Sequence, residues 1–103
     1  MTDKELLEAA AKAAGIPLEW DECPDASTFR TDDESLWNPL RYQGDAMGLC
    51  VCLHMMINIE HGETEVAAHP SISDGHSIVE LHNGDAAAAT RRAIVRCAAG
   101  DYA

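Results

Sequence analysis

A chain of 103 residues has room for one domain around one core, and its 47% apolar content supplies that core and argues against global disorder. Eighteen acids against seven Lys and Arg leave a net charge of −11, a surface that repels nucleic acid and anionic membranes, because binding to those rests on Lys and Arg neutralising phosphates. No apolar run approaches the ~20 residues that cross a bilayer, and Met1-Thr2-Asp3-Lys4-Glu5 shows no basic region followed by an apolar stretch, so the expected location is the cytoplasm.

Asp3 to Ala14 is rich in strong helix formers, with Leu6, Leu7, Ala10, Ala13 and Ala14 on one apolar stripe. Thr2 or Asp3 can cap this helix, and Gly15 followed by Pro17 stops it. Ile16, Leu18 and Trp20 alternate with Pro17 and Glu19, as in a short strand. Asp21 to Glu34 then reads as an acid-rich loop, and Trp37-Asn38-Pro39-Leu40 as a turn anchored by an indole over the core.

After Gly44, Asp45 can cap a helix whose apolar face is Ala46, Leu49, Cys50 and Leu53. Met55, Ile57 and Ile59 alternate with Met56, Asn58 and Glu60, which predicts a strand. His61-Gly62 turns the chain into a second strand, Thr64 to Ala68. A turn over Pro70 to Gly75 leads to a third strand, in which Ser77, Val79 and Leu81 alternate with Ile78, Glu80 and His82. Short connections favour an antiparallel meander. Asn83-Gly84-Asp85 ends the third strand and caps a last helix from Ala86 to about Ala99, closed by Gly100. Residues 1–103 therefore read as a single α+β domain, a small antiparallel sheet of three or slightly more strands with helices packed on it.

Several groupings of chemically capable residues each have a plainer reading. Cys50-x-Cys52-x-His54, with His61 and His69 downstream, has elements of a zinc set. On a helix, however, residues two apart do not face the same way, and Cys23 and Cys97 are isolated, so core thiols are the expectation and no metal or other cofactor is called for. Ser71, Ser73, Asp74 and His76 bring triad residue types together, but triads are assembled from separate elements and this cluster reads as a polar turn. His54, His61, His69, His76 and His82 show no specific pairing with a nucleophile. Arg91, Arg92 and Arg96 are either cations favoured near a helix C-terminus or a small anion site for a nucleotide phosphate.

Three stretches taken together resemble a known family. They are Leu6-Leu7-Glu8-Ala9-Ala10-Ala11-Lys12-Ala13-Ala14-Gly15-Ile16, then Trp37-Asn38-Pro39-Leu40 with Gly44-Asp45-Ala46, then Ala88-Ala89-Thr90-Arg91-Arg92-Ala93-Ile94-Val95-Arg96. Their order resembles the phage ABA-sandwich family, small proteins of tailed bacteriophages and prophages. The resemblance implies a helix/sheet/helix sandwich and supplies no general activity. After Gly44-Asp45-Ala46 this chain departs from the family pattern, carrying Gly48, Cys50 and Cys52 where relatives have basic residues.

The acidity is either solubilising or a surface that docks on a basic partner. Ten of the eighteen acids fall in the first 34 residues against three bases, which directs the docking reading to Asp21, Glu22, Asp25, Asp32, Asp33 and Glu34, with Trp20, Phe29 or Trp37 as apolar anchors. The resemblance turns that reading into an expectation: a phage accessory protein that is not an enzyme. It would antagonise host defence, as an anti-CRISPR protein does, by occupying the basic, nucleic-acid-binding surface of a host defence complex. The alternatives are a sponge for a cyclic-nucleotide defence signal, using Arg91, Arg92 and Arg96, and a structural accessory protein of the phage particle. Composition leaves the oligomeric state open.

Overall fold

The computed structural model describes residues 2–16, 18–20, 29–31, 36–67 and 77–100, with side chains placed for all of these except 18–20, 29–31 and 36. Nine elements follow in order: α1 (Asp3–Ala14), β1 (Leu18–Trp20), β2 (Phe29–Thr31), β3 (Leu36–Trp37), α2 (Gln43–Cys52), β4 (Met56–Glu60), β5 (Glu63–Ala67), β6 (Ser77–Leu81) and α3 (Ala86–Ala99). The α+β class expected from the sequence is the one observed.

Local chemistry accounts for the ends of the first and last helices. At α1, Thr2 Oγ1 accepts the Glu5 N–H at 3.2 Å while Glu5 Oε1 accepts the Thr2 N–H at 3.4 Å, a reciprocal capping box. Gly15 ends the helix at φ +71°, where Gly carries no Cβ penalty, and the Ile16 N–H returns to the Ala11 carbonyl. At α3, Asp85 Oδ1 accepts the Ala88 N–H at 3.0 Å, and Gly100 closes the far end.

The buried stripe of α1 is Leu6, Leu7, Ala10 and Ala11. Ala14 packs on the core at its edge, whereas Ala13 is exposed and Ala11 takes its place in the expected stripe. Residues Phe29–Thr31, within the expected loop, form a strand that pairs with β1 (Trp20 opposite Phe29) and with β3. The turn expected over Pro70 to Gly75 lies outside the described residues.

The larger sheet runs β4-β5-β6, antiparallel throughout, from Met56 opposite Ala67 to Glu60 opposite Glu63 and from Glu63 opposite Leu81 to Ala67 opposite Ser77. Directly paired residues share a face. Ile57, Ile59, Thr64, Val66, Ile78 and Glu80 therefore lie on one face, and α3 packs there against β5 and β6.

Helices α1 and α2 in turn pack on α3. This enclosure explains why Ala89, Thr90, Ala93, Ile94, Val95, Cys97 and Ala98 are all buried, a wider band than one amphipathic stripe. The core joins Leu6, Leu7, Leu49, Val66, Ile78, Ile94 and Val95 with Trp37, from six of the nine elements.

Two polar devices stitch these elements together. Thr64 Oγ1 on β5 lies 2.9 Å from Thr90 Oγ1 on α3 and 2.8 Å from His82 Nε2 beyond β6. Both threonines are buried, so the contacts satisfy hydroxyls that would otherwise be stranded away from water. The second device is the turn before α2. Asp45 does not cap that helix: the N-cap position is Tyr42, whose side chain makes no capping bond, and Asp45 sits inside the first turn. There its Oδ2 accepts the Asn38 N–H at 2.9 Å, while Asn38 Oδ1 accepts the Leu40 N–H at 3.0 Å. Arg91 of α3 completes the turn, donating from Nε to the Leu40 carbonyl and from Nη1 to Gln43 Oε1.

Candidate functional site: an open acidic sheet face

Among the described residues, no helix packs on the second face of the β4-β5-β6 sheet. Pairing places Met56, Asn58 and Glu60 of β4, Glu63, Glu65 and Ala67 of β5, and Ser77, Val79 and Leu81 of β6 on it. Met56 is 70% exposed and Leu81 62%. A strand with one solvated face ordinarily sets polar residues outward, so three large apolar side chains there are unexpected.

Its charges are equally unusual. Glu60 stands directly opposite Glu63, a like-charge cross-strand pair that weakens a sheet, and Glu65 lies two residues further along β5 on the same face. Asn58 Nδ2 donates to Glu60 Oε1 at 2.8 Å, and Ser77 Oγ donates to Glu65 Oε2 at 3.1 Å. Among the described residues no cation pairs with Glu60, Glu63 or Glu65. The chain has no Lys or Arg between Tyr42 and Thr90.

The helix-covered face provides the contrast. Glu80 there is held by Arg96 at 2.8 Å and by Arg92 at 3.6 Å. Asn58, Glu60, Glu63, Glu65 and Val79 line a depression, so carboxylates with no cation among the described residues border a concave surface that includes one apolar side chain. Local features that oppose stability, gathered in one place, are where binding surfaces are expected.

The other candidates are placed as follows. Asp21, Glu22, Asp25, Asp32, Asp33 and Glu34 lie outside the described residues. Trp37 is 6% exposed and belongs to the core, which withdraws its indole from any contact surface. Trp20 and Phe29 are directly paired along the backbone of β1 and β2.

Arg91, Arg92 and Arg96 do not converge on a shared opening. Arg91 clamps the turn at Leu40 and Gln43, Arg92 reaches Asp3 and Glu80, and Arg96 reaches Glu80. With their donors directed at protein acceptors, an anion would have to displace existing bonds.

Cys50 is buried in α2 with its Sγ 3.9 Å from the Met55 carbonyl, whereas Cys52 is exposed with its Sγ 3.6 Å from the Ala14 carbonyl. Burial pushes the Cys50 thiol above its usual pKa. His54 lies past the helix end at φ +53°, so the three residues of this run face different surroundings. Among the described residues no three of His, Cys, Asp and Glu gather to hold a metal ion. His61 is exposed in the β4–β5 turn and His82 bonds to Thr64. Ser71, Ser73, Asp74, His69 and His76 lie outside the described residues.

Comparison with known proteins adds no relative: no family model matches this chain, and neither a curated protein nor a solved structure is significantly similar to it. No described helix is long and apolar enough to cross a membrane.

Proposed function

We propose that this chain acts by binding rather than by catalysis, docking an acidic and partly apolar sheet face on the basic surface of a protein partner. The observation that carries the reading is the Glu60, Glu63 and Glu65 group. These carboxylates lie beside exposed Met56, Val79 and Leu81 and have no compensating cation among the described residues, while Glu80 on the covered face has two. Charge of this kind steers association and sets partner choice, and the apolar side chains supply the buried contact.

A basic protein surface that can accept such a face is of the type that otherwise holds nucleic acid. The resemblance of Trp37-Asn38-Pro39-Leu40, Gly44-Asp45-Ala46 and the two flanking helices to phage ABA-sandwich proteins supports a more specific form: a phage-encoded antagonist of host defence, of the anti-CRISPR type, working in the bacterial cytoplasm. The cyclic-nucleotide sponge has weaker support, because Arg91, Arg92 and Arg96 are engaged within the protein.

The test is capture of a bacterial protein on the immobilised chain, compared with a Glu60→Gln/Glu63→Gln/Glu65→Gln variant. The expected partner is retained at low salt, released at high salt, displaced by duplex DNA and not retained by the variant. Retention that ignores salt, DNA and the three substitutions alike overturns the reading.

A further inference from the structure

We propose that β4 receives an extended segment of the partner as a fourth strand, and that the segment alternates basic with apolar side chains. This rests on the docking reading above and names the shape and chemistry of what docks.

Strand β4 is an edge. The sheet order is β4-β5-β6, so among the described residues β4 pairs on one side only. Alternation in an antiparallel ladder leaves every second residue of β4 with its N–H and C=O directed away from β5. Natural edges are usually blunted by Lys, Pro or a bulge. Met56-Ile57-Asn58-Ile59-Glu60 contains neither Lys nor Pro, and its five pairs with β5 run without a break.

The two faces beside this edge differ in a way that specifies the incoming strand. Ile59 belongs to the helix-covered face yet is 62% exposed, because α3 packs on β5 and β6 and leaves this end of β4 bare. An added strand would set its apolar residues beside Ile57 and Ile59. Its alternate residues would then lie over the opposite face, beside Met56, Asn58 and Glu60 and within reach of Glu65. Basic side chains meet unpaired carboxylates only in that phase.

Charge also selects among occupants and edges. Two copies of the chain joined at β4 would gather both sets of Glu60, Glu63 and Glu65 on one continuous face, with −11 on each chain. At the other edge, Arg92 and Arg96 already hold Glu80 of β6, which places cations where a basic segment would arrive. The fit is therefore to a basic, extended segment at β4.

The experiment uses the full chain and three kinds of short peptide. One alternates Lys with Val, one has the same composition in scrambled order, and a third pair repeats the first with backbone N-methylation on all Lys or on all Val residues. Binding is read by fluorescence anisotropy, and β4 by amide hydrogen exchange.

The alternating peptide is expected to bind at least about tenfold more tightly than the scrambled one and to slow exchange in β4. N-methylation should abolish that advantage in one phase and spare it in the other, since only one set of N–H groups faces β4. Glu60→Gln with Glu65→Gln should weaken both unmethylated peptides and leave strand-like β4 protection with the alternating one.

Equal binding of alternating and scrambled peptides overturns strand addition while leaving charge-driven docking standing. Failure of both peptides to bind at low salt overturns the two together. Self-association of the chain with β4 protected identifies a second copy as the occupant and overturns the proposal.

Discussion

Thr64 shows how much a single hydroxyl can organise in a small core. Its Oγ1 is the shared member of two contacts, one to Thr90 and one to His82, and so joins the middle strand to the central helix and to the turn beyond β6. Thr64→Val keeps the shape but leaves the Thr90 hydroxyl and the His82 nitrogen without this partner. The expected loss is about 1–2 kcal/mol, read from the urea unfolding midpoint at constant slope. Because both threonines belong to one network, Thr64→Val with Thr90→Val should cost less than the sum of the single substitutions. Nothing in the residue type marks Thr64 for this role. Alternation in β5 shows that it shares a face with Val66, but only the placement of α3 puts Thr90 opposite.

Among the elements, α1, α3 and the strands of the larger sheet were legible because their signals are local. A capping Thr2 with Glu5, terminal glycines, and strict alternation each act within a few residues. The β2 strand was not legible, since three residues inside an acid-rich stretch carry no period of their own and are defined by pairing with Leu18–Trp20. Asp45 departs from the capping position for a related reason. An acid at the start of a helix reads as a cap, whereas here its acceptor is used seven residues upstream by Asn38. The turn from Trp37 to α2 thus depends on Asn38 as both donor and acceptor. Asn38→Ala removes the side-chain acceptor for the Leu40 N–H while keeping the backbone donor for Asp45. It should lower stability by about 1–2 kcal/mol, measured by thermal unfolding, and increase amide exchange at Leu40.

At the scale of the whole molecule, the candidate site was only half visible. The excess of acids was plain, and its highest density pointed to the first third of the chain. The sheet face stayed hidden because alternation sorts residues into two faces without saying which one the helices cover. That choice belongs to α3, which packs over Thr64, Val66 and Ile78 and so leaves Glu60, Glu63 and Glu65 outside. If this face is kept for binding at some expense in stability, relieving its repulsion should separate the two properties. Glu63→Lys converts a like-charge cross-strand pair into an opposite-charge one, so stability should rise by about 0.5 kcal/mol while partner binding falls. Paired melting and binding measurements check both directions, and a variant improved or impaired in both respects would argue against the trade.

The position of α3 also bears on how the molecule comes to be folded during synthesis. The sheet buries Val66 and Ile78 toward it, and α1 and α2 pack on it, yet it is the last of the nine elements to leave the ribosome. Until Ala89 to Ala98 emerge, the strands can pair with one another, but Val66 and Ile78 lack the helix that covers them. The nascent chain is therefore expected to complete its core only after α3 emerges, because α1, α2, β5 and β6 all pack on that helix.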